Sequence, residues 1–265
     1  MTNFGSRILV ALIGLPLVLG VVWLGGWWLC IAAALVGLLA LHEYYGMTRP
    51  LRPIVIAGYL GLVLTVIAAQ AGGAEWAIGA LFATVALAFL LKGFADTKQS
   101  ATVSVGGTTL GVIWIGLGLV ALMALRGLPV HGRLAAFTVL LAVWAGDSLA
   151  YLTGRMLGRH KLAPTISPGK TWEGLVGGTL AIVFVTFVAL YQDRDEFLTI
   201  GQALLLGLAL AAAAPLGDLF ESLLKRSVGV KDSSALFPGH GGVLDRVDAY
   251  LFAAPVFYVY LRYLA

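Results

Sequence analysis

Apolar runs of about 18 or more residues recur along almost the whole of this 265-residue chain. A helix of that length crosses a hydrocarbon layer of ~30 Å. Hydrophobic residues make up 60% of the chain and charged residues 11%, and the mean hydropathy is +0.95. In lipid every backbone polar group must be satisfied within its own segment, and these runs are too long and uniform for barrel strands. The sequence therefore predicts an all-α, polytopic integral membrane protein.

Short breaks between the runs predict about nine transmembrane helices. Most breaks contain glycine or proline, as in Gly25-Gly26, Gly72-Gly73 and the segment 49–53. The predicted helices are 8–24, 27–45, 54–71, 75–92, 107–125, 134–153, 174–191, 198–224 and 247–264. The first is expected to be retained, because no clear signal-peptide cleavage site follows it and further spans do. We therefore expect a helical bundle in the membrane.

Lysine and arginine are distributed unequally between the two sides of this bundle. The amino terminus and the loops after predicted helices two, four, six and eight carry 13 of the 17 basic residues. Basic residues accumulate in cytoplasmic loops, so we expect the amino terminus inside and the carboxy terminus outside. The membrane also explains the net charge of +4, and no nucleic-acid partner is expected. The expected location is the cell (inner) membrane.

The polar residues are concentrated in the second half of the chain. Residues 1–100 are expected to supply topology and packing, and 101–265 to form the catalytic region with cytoplasmic loops at 154–174 and 225–246. Loops of this length are usually functional or disordered, and their mixed composition favours function. Within the first loop, SPGKT echoes a P-loop, but Pro164 stands where that motif needs glycine, so we reject it. The same segment is typical of a turn that opens helix seven, with Ser167 as its cap.

Acidic residues lie near the ends of three predicted helices. Asp147 and Asp218 stand within helices six and eight, and Asp245 and Asp248 share one face at the start of helix nine. An acid inside a membrane helix indicates function by default, although an interhelical bond or helix capping is the alternative. Residues on the same faces are Tyr151 and Gly154 on helix six, and Glu221, Ser222 and Lys225 on helix eight. If Asp218, Asp245 and Asp248 converge, they form an oxygen site suited to Mg²⁺.

Basic residues and exposed backbone accompany this predicted metal site. Arginine can grip phosphate with two hydrogen bonds, and lysine supplies a compact charge. The run PGHGG (238–242) leads into a helix amino terminus, which favours anions, although His240 alone is more often a structural loop residue. The basic residues concerned are Lys225, Arg226, Lys231 and Arg246. Acids, bases and backbone N–H groups together suit a metal–nucleotide complex.

The two polar segments resemble a known family. Residues 222–248, SLLKRSVGVKDSSALFPGHGGVLDRVD, resemble the signature of the phosphatidate cytidylyltransferases, also called CDP-diacylglycerol synthases. Residues 146–174, GDSLAYLTGRMLGRHKLAPTISPGKTWEG, resemble a second block of that family. The resemblance implies phospholipid biosynthesis, in which CTP and phosphatidate give CDP-diacylglycerol and pyrophosphate. It also implies Mg²⁺ dependence, with room for a second cation such as K⁺, and a homodimer.

The resemblance further implies roles for individual residues. Asp218, Asp245 and Asp248 would bind the metal and, with Lys225 and Arg226, form the catalytic set. The implied substrate-binding residues are Asp147, Ser167, Lys170, Thr171, Glu173, Ser222, Lys231, Asp232, His240, Gly241, Gly242 and Arg246. The expected chemistry is in-line attack of the lipid phosphate on the α-phosphorus of CTP at the cytoplasmic membrane surface.

Three other interpretations stay open at this stage. The same chemistry on an archaeal-type ether lipid, as in CDP-archaeol synthases, uses the same polar motifs. A transporter would use Asp147 and Asp218 as coupling-ion sites, but no internal repeat is evident and the polar residues gather at one side. A structural membrane scaffold would have little need for the polar second half.

Overall fold

The structure, a computed structural model, describes residues 3–95, 100–191, 197–230, 233–234 and 241–264. The chain forms two compact units. Unit 1 comprises Met1–Ala124 and Val228–Val247, and unit 2 comprises Leu125–Ser227 and Asp248–Ala265. The functional division at residue 100 does not coincide with these units and stays a prediction.

Unit 1 is built from the helices of the first half of the chain. They are α1 (Asn3–Leu24), α2 (Gly26–Met47), α3 (Val55–Phe94), α4 (Ala101–Gly111) and most of α5 (Leu117–Arg126). A 3₁₀ turn, Arg49–Leu51, follows α2, and a π-helical turn, Val112–Gly116, joins α4 to α5. Positive φ angles at Gly25 and Gly26, 66° and 52°, allow the abrupt break between α1 and α2.

Helix α3 folds back on itself at Gly73. The backbone there has φ 76° and ψ −160°, a conformation that glycine adopts readily. Gly61 and Thr84 lie on opposite sides of this break and would be ~35 Å apart along a straight helix. A Cβ added at Gly61 would nevertheless collide with the Thr84 side chain. The arms 55–72 and 74–94 therefore pack side by side, as the separate predicted helices 54–71 and 75–92 require.

Unit 2 contains the remaining helices and one β-hairpin. They are α6 (Gly132–Leu157), β1 (Lys161–Ala163), β2 (Ser167–Thr171), α7 (Trp172–Tyr191), α8 (Ile200–Ser227) and most of α9 (Leu244–Tyr263). The strands are antiparallel, with Lys161 opposite Thr171. Glycines allow close helix packing: Gly146 of α6 lies against Ile182 of α7, and Gly207 of α8 against Val183. Helix α7 thus packs between α6 and α8.

The structure confirms a helical, multi-pass membrane architecture. In the residues that it describes, six helices are long and apolar enough to cross a membrane. They are Gly26–Met47, Val55–Phe94, Ala101–Arg126, Gly132–Leu157, Trp172–Leu190 and Ile200–Ser227. The count of nine spans and the orientation of the termini stay predictions.

The structure differs from the sequence-based fold in two details. The segment 154–174, predicted as a cytoplasmic loop, contains the last turn of α6, the β-hairpin and the first turn of α7. The fifth predicted helix began at residue 107, whereas α4 begins at Ala101. The first turns of α4 contain polar residues and so were not recognised as part of an apolar run, but hydrogen bonds stabilise this part of the helix. Thr108 donates to the Ser104 carbonyl at 2.7 Å and accepts from the Ile54 amide at 2.7 Å.

The fold of α3 predicts different effects for the same substitution at two glycines. We expect Gly61→Ala to destabilise the protein by about 1–3 kcal/mol, because the new methyl group overpacks the contact with Thr84. Gly79→Ala is the matched control, since a Cβ there meets no atom within 4 Å. Thermal unfolding of both variants in detergent micelles measures the difference. Equal unfolding midpoints would contradict the antiparallel packing of the two arms.

Candidate functional site

A cavity of about 490 Å³ opens in unit 2 between α6, the β-hairpin, α7 and α8. On α6 it is lined by Asp147, Ala150, Tyr151 and Gly154, which recur at the spacing of one helical face. Small residues let the hairpin approach this face: a Cβ at Gly154 would lie 3.0 Å from the Thr171 hydroxyl. The sequence-predicted residues Asp147, Ser167, Lys170, Thr171 and Asp218 all line the cavity.

An ion pair joins the hairpin to α8 at this cavity. Lys170 Nζ of β2 lies 2.6 Å from Asp218 Oδ2, and their side chains are 24% and 38% exposed. The Lys170 Nζ atom itself is buried, whereas the more exposed Asp218 side chain is open to contact with other charged groups. An anion entering the cavity would meet the Lys170 ammonium, and a cation would meet the Asp218 carboxylate. The cavity can thus attract either charge.

The polar face of α8 continues into the protein interior. Glu221, only 1% exposed, forms an ion pair with Lys225 at 2.8 Å, one helical turn further along. Ser222 is also buried. Arg226 Nε donates to the Ile166 carbonyl at 3.2 Å, which ties the end of α8 to the turn of the hairpin. These contacts position the end of α8. The roles predicted for Ser222, Lys225 and Arg226 in substrate binding and catalysis stay predictions.

Asp248 adds a buried carboxylate to unit 2. It is 8% exposed, its Oδ1 accepts a hydrogen bond from the Ala249 amide at 2.8 Å, and the charges of Asp218 and Asp147 act on it. Its backbone crosses α8 closely, because a Cβ at Gly217 would lie 3.1 Å from Ala249 Cα. Glycine at position 217 therefore allows α9 to approach the turn of α8 that carries Asp218.

The donor chemistry of these acids fits Mg²⁺. Asp147, Asp218 and Asp248 offer only carboxylate oxygens, the ligands that hard cations prefer. The Lys170 ammonium already neutralises one of them. Across the described ranges, however, no three His, Cys, Asp or Glu side chains form a ready metal-binding group. Asp245 belongs to unit 1, so the predicted convergence of three aspartates stays a prediction.

Unit 1 contains a second polar cluster, centred on Glu43 near the end of α2. Glu43 is 4% exposed. Its Oε1 accepts hydrogen bonds from the Ser234 hydroxyl at 2.6 Å and the Val243 amide at 2.9 Å. Its Oε2 accepts from the Leu244 amide at 2.8 Å and the Ser233 hydroxyl at 3.1 Å. One carboxylate thus binds two separated stretches of chain, 233–234 and 243–244, the second of which begins α9.

Asp245 is bound into the same cluster. Its Oδ2 accepts hydrogen bonds from the Gly242 amide at 2.7 Å and from the Ser233 hydroxyl at 2.8 Å. Gly242 has no room for a side chain, because a Cβ would collide with Ser233 and Glu43, and Gly241 has a φ of 78°. The two glycines therefore bring the backbone close to both carboxylates.

Sequence reasoning missed Glu43, Ser233 and Ser234. An acid inside a predicted membrane helix indicated function for Asp147 and Asp218, and Glu43 lies inside the predicted helix 27–45 in the same way. That signal could have identified it. The two serines carried no comparable signal, since serine is common in loops.

Other predicted residues have separate positions. Glu173 does not line the cavity; its carboxylate accepts from His160, with Oε1 2.7 Å from the ring Nδ1. The predicted cap of α7 was wrong: the Thr171 hydroxyl accepts the Gly174 amide at 3.1 Å, whereas Ser167 lies in β2. Strand β2 occupies Ser167–Thr171, so α7 begins only after it, at Trp172.

The backbone amide of Arg246 donates to the Val243 carbonyl. Predicted site residues outside the described part of the chain are Lys231, Asp232 and His240.

Comparisons with known proteins agree with the resemblance. The sequence model described as the cytidylyltransferase family matches residues 5–264. The phosphatidate cytidylyltransferase of Staphylococcus haemolyticus is 35% identical over 259 residues, 96% of this chain and 98% of its own length. That of Staphylococcus aureus (strain COL) is 33% identical over 264 residues, with the same coverage. That of Haemophilus influenzae is 46% identical over 132 residues, 49% of this chain and 46% of its own.

The capping role of Thr171 gives a prediction that does not depend on activity. Thr171→Val keeps the shape of the side chain but removes the oxygen that accepts the Gly174 amide. We expect a loss of about 1 kcal/mol in stability and faster amide exchange at the start of α7, whereas Thr171→Ser should keep both near wild type. Hydrogen–deuterium exchange and thermal unfolding measure the effect. Equal exchange in the two variants would contradict the capping role.

Proposed function

The chain belongs to the cytidylyltransferase family, and from this premise we propose that it transfers the cytidylyl group of CTP to phosphatidate, forming CDP-diacylglycerol. As a member of that family it is a CTP-dependent nucleotidyltransferase. Phosphatidate as the acceptor is supported by relatives named phosphatidate cytidylyltransferase that align over nearly the full length. These relatives also favour phosphatidate over an archaeal-type ether lipid. A transporter and a purely structural scaffold are no longer needed to explain the polar residues.

The observation that carries the proposal is the unit 2 cavity with its Lys170–Asp218 ion pair. A nucleotidyl transfer must bring two anions together, the triphosphate and the lipid phosphate. Lys170 supplies a positive charge for phosphate oxygens, and the neighbouring acids supply oxygens for a cation that accompanies the nucleotide. The Asp218 side chain is 38% exposed, so it can exchange its partner when such a ligand enters.

The proposed reaction needs no strong general base. The lipid phosphate is already an anion, and one of its oxygens attacks the α-phosphorus of CTP. A P–O bond forms there as the bond to the bridging α–β oxygen breaks, and pyrophosphate leaves with that electron pair. The task of the protein is to align the two phosphates and offset their negative charges. We assign the second task in part to Lys170, with Lys225 and Arg226 as further sequence-predicted contributors.

We propose Mg²⁺ as the cofactor, with room for a second cation such as K⁺. Asp218 and Asp248 would hold Mg²⁺, and Asp245 is the third ligand predicted from the sequence. When bound, Mg²⁺ supplies electrostatic neutralisation of the phosphate oxygens. A homodimer is also proposed, on the family resemblance alone.

We further propose the nine-span topology with the site facing the cytoplasm. In unit 1, Glu43 near the end of α2 binds the start of α9, so these two helix ends lie on one side of the membrane. In unit 2, the hairpin after α6 binds Asp218 and Arg226 near the end of α8, so these ends share a side as well. Both pairings are those required by the predicted orientation. In that orientation the site lies at the cytoplasmic surface of the inner membrane, where CTP reaches it from the cytoplasm.

The direct test supplies purified protein with labelled CTP, phosphatidate and Mg²⁺. We expect a labelled liponucleotide and release of pyrophosphate, and no product when a chelator removes the metal. An ether-linked lipid phosphate tested in parallel should react more slowly. Absence of a liponucleotide with every lipid phosphate would refute the proposed function.

A second test compares two lysines of the same hairpin. We expect Lys170→Met to lower kcat/KM about 100-fold, equivalent to ~2.7 kcal/mol of transition-state stabilisation, because it removes the charge beside Asp218. Lys161→Met is the matched control, since Lys161 is exposed on β1 and does not line the cavity. Similar losses in both variants would rule out a specific role for the Lys170–Asp218 pair.

A further inference from the structure

We propose that Glu43 is a positioning residue of the active site, which fixes the start of α9 and thereby the carboxylate of Asp245. The proposal rests on the proposed function, because the catalytic role of Asp245 does. It assigns a function to the first hundred residues, which from the sequence were expected to supply only topology and packing.

The carboxylate of Glu43 is surrounded by hydrogen-bond donors. A carboxylate has about four lone-pair sites; Glu43 accepts from two backbone amides and the Ser234 hydroxyl, and it shares the Ser233 hydroxyl with Asp245. All four donors come from residues 233–244. Burying a charge is costly unless it is hydrogen-bonded in this way. The donors around Glu43 are therefore arranged for a negatively charged acceptor on a side chain of the length of glutamate.

Two of these donors are backbone amides at the beginning of a helix. The first N–H groups of any helix have no partner within the helix. Helix α9 begins at Leu244, and Glu43 accepts the amides of Val243 and Leu244. Asp245, the second residue of the helix, reaches back to accept the Gly242 amide just before the helix. Both carboxylates also lie at the positive end of the helix dipole, so α2 supplies an amino-terminal cap for α9.

Ser233 couples Glu43 to Asp245. Its hydroxyl lies 3.1 Å from Glu43 Oε2 and 2.8 Å from Asp245 Oδ2. A hydroxyl has one hydrogen to donate, so the two carboxylates compete for it. The Ser233 amide also donates to Asp245 Oδ2, at 3.3 Å. Displacement of Ser233 from Glu43 would therefore change the hydrogen bonding and the orientation of Asp245.

Two substitutions separate the importance of the negative charge of Glu43 from the importance of the size and shape of its side chain. In Glu43→Gln one oxygen becomes an NH₂ group, which would face an amide and a hydroxyl that are themselves donors. The start of α9 would then lose at least one of its two caps from α2. Glu43→Asp keeps the charge on a side chain that is shorter by one methylene, and we expect it to retain more function than the glutamine variant.

The experiment compares full-length Glu43→Gln, Glu43→Asp and Tyr45→Phe in lipid nanodiscs. Tyr45→Phe is the matched control, because Tyr45 also lies on α2 and loses one buried hydrogen bond, its 3.1 Å contact with the Thr108 carbonyl. The first measurement is hydrogen–deuterium exchange of the peptide 241–248. The second is steady-state kinetics, with kcat, KM for CTP and the Mg²⁺ concentration at half-maximal rate determined separately.

For Glu43→Gln we expect exchange of the peptide 241–248 to become about 10- to 100-fold faster and kcat to fall by a similar factor, because buried donors lose their acceptor. KM for CTP should change less than about threefold, and the Mg²⁺ requirement should rise, since the change acts on Asp245. Tyr45→Phe should stay within about twofold of wild type in all measurements, and Glu43→Asp should lie between.

Three results would overturn the proposal. Glu43→Gln could keep both protection and kcat, lose protection with no change in kcat, or lose kcat with protection intact. If Glu43→Gln does not fold, Glu43→Asp decides, because wild-type exchange and kcat in that variant would equally overturn the proposal. Exchange of the wild-type peptide is measurable without substrate. If the wild type makes no liponucleotide, the proposed function fails on its own, and the exchange comparison still shows whether Glu43 holds α9.

Discussion

A charged side chain inside an apolar protein needs partners, and this constraint determines where the polar segments lie. Removing a carboxylate or an ammonium from water is costly unless opposite charges or hydrogen-bond donors replace the water. Glu221 meets the requirement within its own helix, through Lys225. Asp218 needs the hairpin, because its partner is Lys170. Glu43 needs a segment that lies about 200 residues further along the chain. The loops are therefore held in place by the charges of the helices.

The same constraint separates two kinds of acid in this protein. Glu43 is surrounded by four donors from its own unit, which suits a fixed structural centre. Asp218 instead has a side chain that is 38% exposed and an ion pair with Lys170 of the hairpin, which suits a group that exchanges partners during a reaction. Burial and number of bonds thus distinguish an acid that holds the fold from an acid that can meet a ligand.

Sequence patterns predicted those features that depend on neighbours along one helix. The long apolar runs indicated helices because their length matches a bilayer, and the spacing of Asp147, Tyr151 and Gly154 placed them on one face, where the cavity lies. The hairpin was missed because strands of three and five residues have too little periodicity to be recognised. Glu43 was missed for another reason: its donors are 190 to 201 residues away, and spacing along a helix contains no information about such contacts.

The bonds from Glu43 to Val243 and Leu244 also affect how the chain is made. Ribosomes add about 5–20 residues per second, so α2 is synthesised roughly 10–40 s before the amides that will cap its carboxylate. During that interval Glu43 has to keep water or transient partners, because its final donors do not exist. Formation of the amino-terminal end of α9 therefore completes the hydrogen bonding of Glu43 on α2. A nascent chain that stops before residue 243 would leave Glu43 without the two backbone amides that cap α9 onto it.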